Sequence, residues 1–212
     1  MSDLQILGRS SSHFTRTVRI FAAELSVPYR FVAMADLLSR DPTDYADNPA
    51  LRLPILVTPE GPWFGALNIC RELARRAPHP AHVLWPEDVQ PRLAANAQEL
   101  VLQGMSTAVT LIMSRLARPD APGAYDEKNR EALTNILAWL EAELPAVSAL
   151  LDTDHALRFF DVTLFCFLGH VTFRQLADLT GHVQLTRFCA QFAQRAAARA
   201  TEYCFDPPAQ AR

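Results

Sequence analysis

The feature that most constrains this chain is a change of pattern near residue 77. Before it, short apolar runs alternate with helical periods; after it, only helical periods remain. Leu4-Gln5-Ile6-Leu7 reads as a strand ended by Gly8. Phe14, Val18, Phe21, Ala22 and Leu25 recur at helical spacing, which predicts an amphipathic helix over 13–25. Pro28 closes the next turn, and Tyr29-Arg30-Phe31-Val32-Ala33-Met34 reads as a second strand. A polar stretch rich in Asp, Pro and Asn runs from Ser39 to Pro49. Pro54-Ile55-Leu56-Val57, a turn at Thr58-Pro59-Glu60-Gly61, and Trp63-Phe64 predict a β-hairpin. Residues 66–76 return to helical periodicity. The order β-α-β, then β-β-α, is that of a small sheet covered by helices, because a parallel β-α-β unit needs a crossover helix.

Pro78, Pro80 and Pro86 fall within 77–90 with Trp85 among them, and Pro91 lies just beyond; this is the best candidate linker. From there the strand signals stop. Leu93, Ala97, Leu100, Val101, Gly104, Ala108, Leu111 and Ile112 mark one face of a long helix over 92–117. The loop Arg118-Pro119-Asp120-Ala121-Pro122-Gly123 breaks it. Further helices are expected over 125–151, 159–179 and 183–203. The helix over 159–179 is apolar all round from Phe159 to Leu168, as a centrally buried helix would be. The expected organisation is an α/β domain over 1–76, a linker over 77–91, an all-helical domain over 92–205 and a loose tail over 206–212.

Half of the residues are hydrophobic and a fifth are charged, which excludes a disordered chain. A formal charge of −3 offers no basic field for nucleic acid or an anionic lipid surface. No continuous apolar run long enough to span a bilayer is read, so no membrane partner is expected. The start Met1-Ser2-Asp3-Leu4 lacks the form of a secretion signal, and the cytoplasm is the expected location. Cys70, Cys166, Cys189 and Cys204 are widely spaced, each in an apolar helical stretch, and read as reduced, buried thiols. His79 and His82 lie in a proline-bearing loop without companion ligands, so no metal site is expected.

Two segments carry chemistry. In Gly8-Arg9-Ser10-Ser11-Ser12-His13-Phe14-Thr15-Arg16, serines stand between a strand end and a helix start. A serine there can cap the helix by accepting from a free N–H of the first turn. The same free N–H groups and the positive end of the helix dipole also stabilise an anion. A thiol that normally ionises near pH ~8.5 would be held there as thiolate, and a serine hydroxyl could donate to it. In Asn48-Pro49-Ala50-Leu51-Arg52-Leu53-Pro54-Ile55, a proline opens a strand, which is tolerated at a first position. The generic expectation for the Leu53–Pro54 bond is trans.

Together these segments resemble the glutathione transferase family, over nearly the whole chain. Ser12, Arg16, Val18 and Arg19 fall in the family pattern Ser-x-x-x-Arg-x-Val-Arg. The resemblance implies that Ser12 activates the thiol, with Ser11 as the alternative if the loop aligns one residue earlier. Asn48, Pro49, Arg52, Leu53 and Pro54 match Asn-Pro-x-x-Lys-Val-Pro. The resemblance therefore implies a cis bond before Pro54 and a main-chain contact from Leu53 to glutathione, like an added β-strand. It further implies a thioredoxin-like first domain and an all-α second domain. Glutathione would be the co-substrate, with Leu53, Pro54, Arg52, Gly65, Ala66 and Phe14 as its binding residues. A small hydrophobic electrophile would lie in an apolar pocket lined by Met105, Val109 and Met113, and the protein would form an isologous homodimer. Residues 161–174 resemble the family's buried helix, with Asp161 as a folding and capping residue. Arg158 stands where the family has Ser or Thr.

The chain departs from the family after the hairpin. Most members have an acidic residue followed by Ser there, binding the γ-glutamyl group; this sequence has Gly65-Ala66-Leu67-Asn68-Ile69. Losing both side chains would weaken binding by about 2–4 kcal/mol, a hundredfold or more, unless Asn68, Arg9 or Arg52 compensates. Two readings follow: an enzyme joining the glutathione thiolate to an electrophile, or a protein of the same fold that binds a ligand or partner without transfer chemistry. A thiol–disulfide enzyme would want cysteine at position 12.

Overall fold

The computed structural model describes residues 3–80, 82–118, 123–151 and 157–207. The expected helix break at 119–122 and the tail residues 208–212 lie outside them. The chain divides into two compact units, Met1–Ala81 with Arg195–Arg212, and His82–Gln194. The last helix and the tail thus belong with the first unit, whereas the sequence assigns residues up to 205 to the helical domain.

The first unit is built on a four-stranded sheet. Its elements are β1 (Gln5–Gly8), α1 (His13–Glu24), β2 (Arg30–Ala33), β3 (Ile55–Thr58), β4 (Gly61–Phe64) and α2 (Ala66–Arg76). The strand order is β2-β1-β3-β4. β1 runs parallel to β2, through the crossover helix α1, and antiparallel to β3. A tight turn then returns β4 beside β3. α1 and α2 pack on each other. Ile6, Val18, Ile20, Phe21, Ile55, Leu56, Ile69 and Leu73 have no exposed surface and form the core between helices and sheet. The stretch after β2 is not plain loop: Pro42–Tyr45 makes a 3-10 turn that carries Tyr45 into the interior.

The second unit contains β5 (Val83–Leu84), α3 (Arg92–Ala117), α4 (Ala124–Leu150), β6 (Leu157–Arg158), α5 (Phe159–Phe173) and α6 (Val183–Phe192). β5 and β6 pair in parallel, so strand structure does continue beyond the linker. A two-residue strand carries no readable alternation, which is why the sequence shows no sign of it. α5 is buried on nearly every face, as its uniform apolarity predicts. It ends at Phe173 rather than 179, where Gln175 turns into the left-handed region at φ 52°. Glu141 of α4 accepts from the Gln184 and Leu185 N–H groups at 2.9–3.0 Å. A carboxylate at that position satisfies free donors of α6 and complements its dipole. Arg158 replaces the expected capping hydroxyl by a charge pair, its Nε 2.8 Å from Asp161 Oδ2.

α3 is long and apolar enough to cross a membrane by length and composition, although it holds no continuous apolar run of that length. Scattered polar residues break the run without lowering the average enough. In the structure α3 packs on α4 and α5, and its apolar side buries Ala97, Val101, Met105, Ala108 and Leu111. The expected helix over 183–203 is two pieces, α6 and the short α7 (Ala196–Arg199), with Arg195 extended between them. Cys70 and Cys166 are buried as expected, but Cys189 is half-buried and Cys204 exposed beyond the last helix.

At Gly104 of α3, an added Cβ would lie 2.5 Å from Phe167 Cζ of α5, a ring with no exposed surface. Overpacking there costs about 1–3 kcal/mol, more than the roughly 1 kcal/mol that alanine gains over glycine in a helix. Gly104→Ala is therefore expected to lower the denaturant midpoint; a raised midpoint would show that the ring has room to yield.

Candidate functional site

The sheet register gathers the chemistry-bearing segments at one edge. Leu7, next to the end of β1, pairs with Ile55, the first residue of β3. Ile55 in turn pairs with Phe64, the last residue of β4. Gly8 pairs with Ala33 at the end of β2. Neighbouring strands lie about 4.8 Å apart. The loop after β1, the Leu53–Pro54 segment before β3 and the Gly65–Ala66 start of α2 consequently emerge side by side.

Ser12 is the N-cap of α1, in extended conformation, and its Oγ accepts from Thr15 N–H at 3.3 Å. A hydroxyl that accepts in this way keeps its own proton for another partner. Ser12 N–H closes the loop by donating to Arg9 O at 3.0 Å. Ser10 and Ser11 are 8% and 4% exposed, whereas Ser12 is half-buried. The loop also depends on Gly8, where an added Cβ would fall on the fully buried Thr15 side chain. Thr15 Oγ1 accepts from Arg9 N–H at 3.3 Å, tying the loop to the first turn of α1. Phe14, half-buried beside Ser12, sets its ring edge-on to His13 with centroids 4.5 Å apart.

The second segment is held by Asn48, which is 4% exposed. Its Nδ2 donates to Arg52 O at 2.9 Å and its Oδ1 accepts from Ala50 N–H at 3.0 Å. Those bonds close a tight loop in which Leu51 takes φ 52°. The Leu53–Pro54 peptide bond is cis. Leu53 packs on a cluster of Met34, Tyr45 and Ile55, joined by Leu7, Leu51 and Phe64. Burial raises the Tyr45 phenol above its ordinary value, and the charges of Asp36 and Asp44 push the same way. It therefore stays protonated and donates to Leu37 O at 3.1 Å. Pro54 is buried and the Arg52 side chain is exposed.

The third segment begins at Gly65, the N-cap of α2, at φ 82° and without a side-chain cap. Ala66 is half-buried. Asn68 Nδ2 donates to Phe64 O at 3.2 Å. Nothing in the sequence pointed to the remaining feature of this edge, the contact between Arg9 and Asp206. Arg9 Nε lies 3.1 Å from Asp206 Oδ2, and Arg9 Nη1 donates to Met34 O at 2.7 Å and Ala35 O at 3.1 Å. Arg9 is thus engaged locally, which removes it from the groups named as compensating for Gly65-Ala66. Asp206, expected in a loose tail, is anchored instead, with Ser10 N–H donating to its Oδ2 at 2.9 Å. Arg16 and Arg19 of the helix pattern serve the framework: Arg16 Nη2 donates to Ala198 O, and Arg19 stacks on Phe31.

In the second unit, Met105 has no exposed surface and takes a core role, Val109 is half-buried and Met113 is 45% exposed. Among the described residues no group of three or more His, Cys, Asp or Glu could hold a metal ion.

Asn48→Ala is expected to destabilise the protein by about 1–3 kcal/mol, because it removes two part-buried hydrogen bonds that contribute about 0.5–1.5 kcal/mol each. Equilibrium unfolding in urea checks this, and an unchanged midpoint would mean that the loop is held by packing alone.

Comparison with known proteins agrees with this geometry. Residues 7–81 match the family model described as the N-terminal domain of glutathione S-transferase. No match to the sequence was found among curated proteins. Similar solved structures include a glutathione S-transferase from Methylobacillus flagellatus with glutathione bound, at TM-score 0.75 and 22% identity, covering 95% of this chain and 100% of that one. A glutathione S-transferase from Methylobacterium radiotolerans in complex with glutathione sulfonate has TM-score 0.76 and 19% identity, covering 99% of each. A glutathione transferase family member from Pseudomonas fluorescens with bound glutathione has TM-score 0.74 and 20% identity, covering 95% and 99%. Residues 7–81 match the N-terminal domain of glutathione S-transferases, and the chain as a whole has the glutathione transferase fold.

Proposed function

We propose that this protein is a glutathione transferase that joins the glutathione sulfur to a small hydrophobic electrophile, with Ser12 as the thiol-activating residue. The observation that carries this reading is the sheet register, which aligns Ser12, Leu53–Pro54 and the α2 N-terminus along one edge. Glutathione bound in two similar structures and glutathione sulfonate in a third support the ligand.

In this reading the thiol gives its proton to water, and Ser12 donates a hydrogen bond to the resulting thiolate while its oxygen accepts from Thr15 N–H. The α1 N-terminus adds the positive end of its dipole. The sulfur electron pair forms a C–S bond with the electrophilic carbon, and a leaving group such as a halide departs with its bonding pair. Leu53 offers its main chain to the cysteinyl part of glutathione. Arg52 and Phe14 flank the peptide, and the γ-glutamyl carboxylate is met by main-chain N–H groups at Gly65 and Ala66. Of the residues proposed for the electrophile, Val109 and Met113 keep exposed surface. We place the protein in the cytoplasm as a homodimer.

A hydrogen bond to a charged group contributes about 1.5–3 kcal/mol, so Ser12→Ala is expected to lower kcat/KM for a chromogenic aryl halide about 10–100-fold. The apparent pKa of bound glutathione should rise in the same variant. Calorimetric titration that finds no binding at millimolar glutathione would overturn the proposal in favour of a non-catalytic binding protein. Activity unaffected by Ser12→Ala would move the role to Ser11.

The γ-glutamyl end has its own test. Gly65 sits at φ 82°, where an acidic side chain would be strained, whereas Ala66 is the first residue of α2 and accepts a serine freely. Ala66→Ser is expected to tighten glutathione about 10–100-fold, the gain of one hydrogen bond to a charged carboxylate. No change would place the γ-glutamyl group elsewhere.

A further inference from the structure

We propose that Asp206, near the end of the chain, is a positioning residue for Ser12, latching the loop that presents it; this rests on the thiol role proposed for Ser12.

The segment from Arg195 to Asp206 lies along α1 and is fixed at successive points. At the far end of the helix, Arg195 pairs with both oxygens of Glu24, at 2.9 and 2.8 Å. Midway, Arg16 donates to Ala198 O at 3.1 Å, and its guanidinium sits 4.3 Å from the Tyr203 ring centre. α7 packs on α1 between these points. At the near end, Asp206 reaches the loop before the helix. The segment therefore runs antiparallel to α1 and terminates at the residues preceding Ser12.

The contact at that end is well suited to hold a loop. The Asp206 carboxylate is 7% exposed and the Arg9 side chain 16%. A carboxylate this buried requires a partner. It has the Arg9 guanidinium at 3.1 Å and the Ser10 N–H at 2.9 Å. Arg9 and Ser10 are the first two residues of the turn that Ser12 N–H closes on Arg9 O. One carboxylate thus fixes the entry of the turn, and the turn fixes where the Ser12 hydroxyl stands. Arg9 also balances the carboxylate charge, which uncompensated would oppose a thiolate nearby. A displacement of about 1 Å at a reacting group can lower a rate up to a hundredfold, so the latch bears on chemistry without touching substrate.

The test uses the full-length protein and Asp206→Ala, Asp206→Asn and Glu24→Gln. Asparagine keeps an oxygen for Ser10 N–H; Glu24→Gln loosens the same segment away from the loop. Hydrogen exchange at the Ser10 amide is expected to accelerate at least tenfold in Asp206→Ala, to stay near wild type in Glu24→Gln, and to be largely restored in Asp206→Asn. Transfer activity in Asp206→Ala is expected to fall about tenfold in kcat, with the glutathione KM little changed. Wild-type exchange and kinetics in Asp206→Ala, or equal deprotection in Glu24→Gln, would overturn the latch. A wild-type protein that binds no glutathione would overturn the thiol role itself, a result distinct from either.

Discussion

The antiparallel pairing of β1 with β3 is the constraint on which the rest of the first unit depends. β1 is flanked on both sides, by β2 in parallel and by β3 antiparallel. Its end therefore meets the beginning of β3 and, through β3, the end of β4. A one-residue slip would turn Ile6 and Leu56, both fully buried, toward the opposite face. The core thus enforces the register, and the register enforces which loops are neighbours. The site follows from core packing as much as from its own side chains.

The loop after β1 shows how much framework one small hydroxyl needs. Gly8 is required because the first turn of α1 approaches too closely for a side chain. Thr15 joins the loop to that turn by accepting from Arg9 N–H while its own N–H caps onto Ser12. Arg9 spans from the end of β2 to Asp206. An anion site at a helix start draws on free N–H groups and the dipole; a carboxylate brought so close would work against it unless neutralised. The Arg9 pairing reconciles the two, using a buried charge to order the loop without leaving a net negative charge beside it.

Much of this was legible in the sequence. The hairpin and α2 stand where the periodicities of 54–64 and 66–76 place them, and α5 is buried because it is apolar all round. The serine loop was recognisable from its place before a helix start, whereas Ser12 in particular and Asn48 were marked by the resemblance to the glutathione transferase pattern. What escaped were features set by contacts remote in sequence. The β5–β6 pair has too few residues to alternate. The break before α7 reflects Arg195 reaching Glu24, and the anchoring of Asp206 depends on Arg9, far away in the chain. Arg9 was visible only as a charge in a serine loop, and Asp206 only as an acid near a proline-rich end. Neither carries a periodicity that would connect them.

The two halves of the edge solve recognition differently. Around Ser12 and Asn48, side chains define the geometry: a cap, a closed turn, a buried amide and an ion pair. At Gly65–Ala66, the chain keeps the helix start and gives up the side chains, with φ 82° at Gly65 selecting glycine. Main-chain N–H groups at a helix start favour an anion but discriminate little among anions. Specificity at this edge must therefore come chiefly from the Ser12 and Leu53 side, where hydrogen-bonding partners are fixed in direction. A ligand that fits would be chosen for a thiol on an extended peptide-like backbone, with its distal carboxylate held loosely. Under the proposed function, that division would let the fold keep a thiol site without acidic and seryl side chains at the other end.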